Sequence, residues 1–204
     1  MERHTHDKKT DRDESTELPS ATLGDRIRAF GYDLLLIGAY IAVLAGINVA
    51  LILPLEIQEN YFPEFDPAVF WDLIAFFTLI LPVILYFSLG ECSPSQATWG
   101  KHKMGLLVVD PKGKRLSFGK TFLRAGIKFL PWQAAHTSVY HIMFSQPGDP
   151  GVKIAGVGFA ITYLLVGFYL VTALISHKNR TPYDWAAGSF VIVSKSKLSL
   201  SKVE

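Results

Sequence analysis

Apolar and polar residues are segregated along the chain into long blocks. Residues 34–55 form a run of 22 without a charge, with Asn48 as the one strongly polar member; residues 68–89 form another 22, with the single charge Asp72 near the start. Residues 154–176 run uncharged for 23 positions and end abruptly at His177-Lys178-Asn179-Arg180. Each block is long enough to cross the roughly 30 Å of bilayer hydrocarbon as a helix. A fourth block, 129–145, is shorter and wetter. It carries Gln133, His136, Thr137, Ser138 and His141, with Pro131 near its beginning. By length it reads either as a span or as a re-entrant segment.

The distribution of Lys and Arg decides between these, because basic residues accumulate on the cytoplasmic side of short loops. If 129–145 crosses, only Lys153 of the 20 basic residues lies away from one common side, and the loop holding Glu56, Glu59, Glu64 and Asp66 faces out. If it does not, the basic regions 101–128 and 178–202 fall on opposite faces. The expectation is therefore an all-α membrane protein, a four-helix transmembrane bundle with spans at about 34–55, 68–89, 129–145 and 154–176. It would be multi-pass in the cell membrane with both termini cytoplasmic. Residues 1–22 read as a disordered polar tail, 23–193 as the membrane domain and 194–204 as a second cytoplasmic tail. The N-terminus has no short apolar core with a small-residue cleavage site, so the first span reads as an uncleaved insertion signal.

Between the second and third blocks, 104–110 reads as a strand, 111–114 as a turn and 115–118 as a return strand, giving a small cytoplasmic β-hairpin. The run 189–193 is extended in character and would close an open edge of that hairpin. Lys120, Arg124 and Lys128 then recur every four residues beside Phe122, Leu123, Ile127 and Phe129, as in an amphipathic interfacial helix. Its basic face reads either as a contact with anionic lipid or as a plain positive-inside signal. In the first span, Gly38, Ala42, Gly46 and Ala50 also recur every four residues. Such a stripe lets another helix backbone approach, either within the bundle or in a homodimer.

Composition agrees with the blocks: 50% of the 204 residues are hydrophobic and 13% aromatic, and mean hydropathy is +0.26. A net charge of only +2, with the basic residues explained by topology, gives no nucleic-acid signature. Cys92 is the single cysteine, which excludes an internal disulfide and a Cys-based metal cluster. His136 and His141 are five apart, poor spacing for a shared metal on a helix; hydrogen bonding suits them better, with a proton relay as the sharper alternative. No nucleophile elbow, phosphate loop or HExxH motif occurs, so the chain does not read as an enzyme and implies no cofactor.

What remains is charge at the edge of hydrocarbon, which is costly and usually paired or functional. Arg26 and Asp33 are seven residues apart, about 700° of helical rotation, and so share one face. Asp184 lies far away in Arg180-Thr-Pro-Tyr-Asp-Trp-Ala-Ala-Gly188. The segment 26–33, the run Thr98-Trp-Gly-Lys101 leading to Asp110, and the segment 180–188 together resemble the RDD family of membrane proteins, named for one Arg and two Asp. The resemblance places the Arg at Arg26 and the acids at Asp33 and Asp184, with Arg28, Lys101, Asp110 and Arg180 as secondary candidates. It extends from about 23 to 193. Where family members often carry His and Thr, this chain has Tyr183 and Ser189.

Some members are linked to exchange of monovalent cations for protons. The resemblance thus implies that Asp33 could alternate between H+ and Na+, Li+ or K+, with Arg26 holding its pKa low and Asp184 a second acceptor. The alternative is a non-transporting scaffold or accessory subunit in which the same residues form a structural clamp.

Overall fold

The computed structural model describes residues 19–52 and 66–194. Of the tail expected to be disordered over 1–22, residues 1–18 lie outside the described residues, as do Glu56, Glu59, Glu64 and the tail from 195; Ala21 is instead buried, its N–H donating to the Val191 carbonyl at 2.9 Å. Among those described, three helices are long and apolar enough to cross a membrane: Leu23–Ala50, Pro67–Cys92 and Pro150–Ile175. The protein is an α-helical membrane protein with a small β element.

Helix α1 (Leu23–Ile47) starts where Thr22 caps it, the hydroxyl accepting from the Asp25 N–H at 3.1 Å, and ends in a π-turn, Asn48–Ile52. It begins well before the apolar run, so Arg26 and Asp33 belong to the helix and not to its approach. The second span is one rod of three parts: α2 (Pro67–Ala75), a π-turn at Phe76–Ile80, and α3 (Leu81–Cys92). Asp66 caps it, accepting from the Ala68 N–H at 2.8 Å, and Pro67 occupies the first turn, where a missing N–H costs nothing. The π-turn sits directly before Pro82. A widened turn of this kind absorbs a ring that would otherwise clash with the preceding carbonyls.

A short helix α4 (Trp99–Lys103) leads into strand β1 (Leu106–Val109). Asp110 organises the following turn, its carboxylate accepting from the Lys112 and Lys114 N–H groups at 2.8 Å each. The expected return strand at 115–118 is reduced to a single bridge, Val109 to Arg115. The regular partner of β1 is the C-terminal strand β2 (Phe190–Val193), antiparallel, with Leu106 opposite Val193 and Val109 opposite Phe190. Both outer edges are covered: the Val108 N–H donates to the Gln96 carbonyl at 2.8 Å, and the Val193 N–H to Pro19 at 2.9 Å. An edge so occupied offers no template for aggregation.

Helix α5 (Phe118–Met143) is a single 26-residue helix, which corrects the division into an interfacial helix and a separate fourth segment. Pro131 does not break it. Proline frees the carbonyl four residues back, here that of Ile127, and the Tyr169 hydroxyl donates to that oxygen at 2.6 Å. Polar residues in its apolar half find partners, although the buried Gln133 Oε1 is left without one among the described residues. Gln133 Nε2 and Thr137 Oγ1 donate to Asp72 at 3.0 and 2.7 Å, while His136 and His141 donate to their own helix at Trp132 and Thr137. The histidines therefore serve as hydrogen-bonding groups within α5.

Helix α6 (Pro150–Ile175) packs along α5. The contact is backbone-close: a Cβ on Gly158 would lie 2.1 Å from Ser138 Oγ, and one on Gly151 2.0 Å from Ser145 Oγ. This is small-residue packing of membrane helices, and it uses Gly151, Ala155 and Gly158. The Gly38, Ala42 and Gly46 stripe of α1 is exposed, with open space beyond both glycines, so among the described residues it packs against no other helix.

Helix α7 (Pro182–Ala187) follows a tight turn. Its capping box joins Thr181 to Asp184, and Gly188, at φ 61°, ends it in a left-handed conformation suited to glycine. One apolar core, including Ile37, Ile84, Phe87 and Phe129, sits among α1, α3 and α5. A second, including Ala29, Leu106, Val108 and Val191, binds the sheet to α1.

Candidate functional site

Five ionised side chains of alternating sign lie between the helices. Arg124 of α5 is at the centre, 2% exposed. Its Nη1 donates to both oxygens of Glu91 at 2.5 Å, and its Nε and Nη2 donate to Asp184 Oδ1 at 3.0 and 2.8 Å. Lys101 pairs with Glu91 on one side, and Arg26 pairs with Asp184 on the other. The order Lys101, Glu91, Arg124, Asp184, Arg26 therefore joins α4, α3, α5, α7 and α1. Both acids are fully buried. A carboxylate in such a place is tolerable only with several donors and opposite charges around it.

Local sequence explains each position. Asp184 is the third residue of α7, where the capping box turns it back to accept from the Thr181 N–H at 3.1 Å and hydroxyl at 2.8 Å. Ser189 bridges Arg124 Nε and Asp184, and the Asn179 carbonyl takes the second terminal nitrogen of Arg26. Burial alone would raise the Asp184 carboxyl; the Arg124 and Arg26 guanidiniums outweigh it and hold the group below its ordinary value. Burial lowers the Lys101 ammonium, with Glu91 opposing.

Asp33 forms a separate node. Tyr86 donates to Oδ1 at 2.7 Å, Thr98 to Oδ2 at 2.7 Å and the Gly100 N–H to Oδ1 at 2.7 Å. A Cβ at Gly100 would lie 2.0 Å from the Ala29 carbonyl. That approach explains the Thr98-Trp-Gly100-Lys101 run: Thr98 caps α4 and reaches Asp33, Gly100 permits contact, and Lys101 reaches Glu91.

The structure thus brings Arg26 and Asp184 into contact, as the motif implies, and gives Asp33 different partners although it shares a face of α1 with Arg26. Arg124, read from the sequence as a lipid-surface residue, is buried in the cluster. Here α5 is inverted relative to a helix in water, exposing Phe118, Phe122 and Leu123 at 45%, 38% and 48%. Lys120 is exposed, and Lys128 is half-buried with Nζ 3.7 Å from the Phe87 ring centre and 4.3 Å from that of Phe30. Of the secondary candidates, Lys101 belongs to the chain of charges. Arg180 stacks on Phe190 at 4.3 Å and reaches the Asp184 carbonyl. Asp110 belongs to the turn after β1, and its backbone hydrogen bonds lower its carboxyl. Arg28 is exposed and outside the network.

Glu91 went unrecognised in the sequence. Its signal was a lone acid ending an apolar run, unmatched by a nearby basic residue until Lys101. Tyr183, at the position where a His was anticipated, packs edge-on against Tyr169 at 5.6 Å, and burial pushes its phenol further above the ordinary value. It carries no proton chemistry near neutral pH. No group of three or more His, Cys, Asp or Glu suited to a metal occurs among the described residues.

Comparison with known proteins agrees with the motif reading. No curated protein and no solved structure matched the chain, whereas the sequence model described as the RDD family matches residues 20–188. That stretch contains α1 through α7 and every charged residue of the cluster, and the chain belongs to the RDD family.

Proposed function

We propose that the alternating chain of charges is a structural clamp, and that the protein is a non-transporting membrane scaffold or accessory subunit. One observation carries this reading: each carboxylate oxygen of Glu91, Asp184 and Asp33 already accepts at least one hydrogen bond. A carrier must release its partners to exchange Na+, Li+ or K+ for H+. Each of these acids is held by partners from two other helices, and Tyr183 replaces the titratable His. The clamp ties the C-terminal α7 and β2 to the spans, giving the surface around the sheet a fixed form for a partner.

In this reading α5 is the fourth span and both termini are cytoplasmic in the cell membrane, supported by the positive-inside distribution. The outward Gly38, Ala42 and Gly46 stripe supports homodimerisation through α1. The test is flux: purified protein in liposomes holding a pH gradient is given Na+, Li+ or K+ pulses. The clamp reading expects no cation-dependent dissipation. Dissipation that disappears in a folded Asp33→Asn variant would overturn it.

A further inference from the structure

Between α1 and α6, floored by α5, lies a cavity of about 290 Å³. One end is lined by four cations, Arg26, Lys101, Arg124 and Lys128, and the single acid in the lining is Asp33. Asp33 is saturated by three donors, and Glu91 and Asp184 balance two of the cations. With Lys128 protonated, these seven groups carry one positive charge in excess. Of the four lining cations, Lys128 is the one for which no salt bridge is formed with the described residues; its contacts are with aromatic rings. The rest of the lining is largely apolar and includes Trp132, Val166 and Leu170, all well exposed.

We infer that this cavity binds the headgroup of an acidic phospholipid from the leaflet beside the charged cluster, with Lys128 as the pairing cation and the acyl chains lying along the α1 and α6 walls. The reasons are three. A half-buried excess cation in the lining of a cavity is costly until an anion joins it. The volume is near the lower limit of about 300 Å³ for small-molecule sites, enough for a headgroup and not for a whole lipid. The cavity passes from charged to apolar along α5, from Arg124 to Trp132, in the order that a phospholipid presents its own parts. Lys120, exposed on the same helix, has no such surroundings and provides an internal control. The inference is independent of whether the charged chain is a clamp or a carrier.

Native mass spectrometry of the full-length protein in mild detergent, with equimolar phosphatidylglycerol and phosphatidylcholine, tests it. The expected result is one retained phosphatidylglycerol, with retention falling about fivefold or more in Lys128→Gln and unchanged in Lys120→Gln. Leu170→Trp, which fills the apolar end from an exposed position, should also reduce retention, so the outcome does not depend on the folding of one variant. Equal retention of both lipids would overturn the proposal, as would equal losses in Lys128→Gln and Lys120→Gln. Displacement of the lipid by millimolar inorganic phosphate alone would assign the site to a free anion and overturn it too.

Discussion

Replacing Arg124 by Met removes the one side chain that holds two buried acids together. Arg124 donates four close contacts, two of 2.5 Å to Glu91 and two of 3.0 and 2.8 Å to Asp184. Breaking a buried pair from one side costs about 3–5 kcal/mol, because the remaining charge is left without compensation. Two pairs break here, but Lys101 still faces Glu91 and Arg26 still faces Asp184, so the cost remains in that range. For a chain of this size each kcal/mol corresponds to about 2–4 °C, giving a fall of about 10 °C in the detergent-solubilised protein. A thermal melt followed by tryptophan fluorescence reads it, with exposed Arg28→Met as the control. Neutralising the whole set, Arg26→Met, Glu91→Gln, Lys101→Met, Arg124→Met and Asp184→Asn together, should be less damaging than the sum of the single replacements, since no member of the cluster is left as a stranded charge. A melt of Arg124→Met within about 2 °C of wild type would place the pairs in the class of surface bridges and refute the reasoning.

Three further outcomes follow from the same structure. Because the folded Asp184 carboxyl lies below its unfolded value, its contribution is fully present above the ordinary carboxylate pKa of about 3.9 and is lost as pH falls through the folded value. Melts should therefore show acid loss setting in below about pH 4, and an Asp184-dependent loss already between neutral and mildly acidic pH would contradict it. Gly100→Ala should destabilise by about 1–3 kcal/mol through overpacking against Ala29, and an unchanged melt would show that α4 has room to move. Tyr169→Phe should cost about 1 kcal/mol and become neutral in a Pro131→Ala background, where an N–H again serves Ile127; equal costs in both backgrounds would refute that pairing.

How much of this was legible in the sequence follows from what hydropathy and spacing can report. The three apolar rods were plain because an uninterrupted run has one explanation at membrane length. The β1–β2 pairing was also readable, since an extended C-terminal run needs a partner and one open strand was available. Helix α5 was divided wrongly because Gln133 and Thr137 look wet in isolation, and their partner Asp72 lies on another helix. The role of Arg124 was hidden for a related reason. Four-residue spacing identifies a face without saying whether that face points in or out, and the two acids that draw it inward are remote in sequence. Asp33 shares a face with Arg26 as expected, yet Thr98, Tyr86 and Gly100 reach it first. Local periodicity cannot show competition of that kind.

The central claim is that the buried acids stay ionised and paired, and infrared difference spectroscopy of the protein in membranes measures this directly. The clamp account predicts that stepping from pH 8 to pH 5, with or without Na+, produces no protonated-carboxyl band that depends on Asp184. A band that grows in that interval, is suppressed by Na+, and vanishes in Asp184→Asn would show an acid exchanging a proton for a cation and would contradict the account.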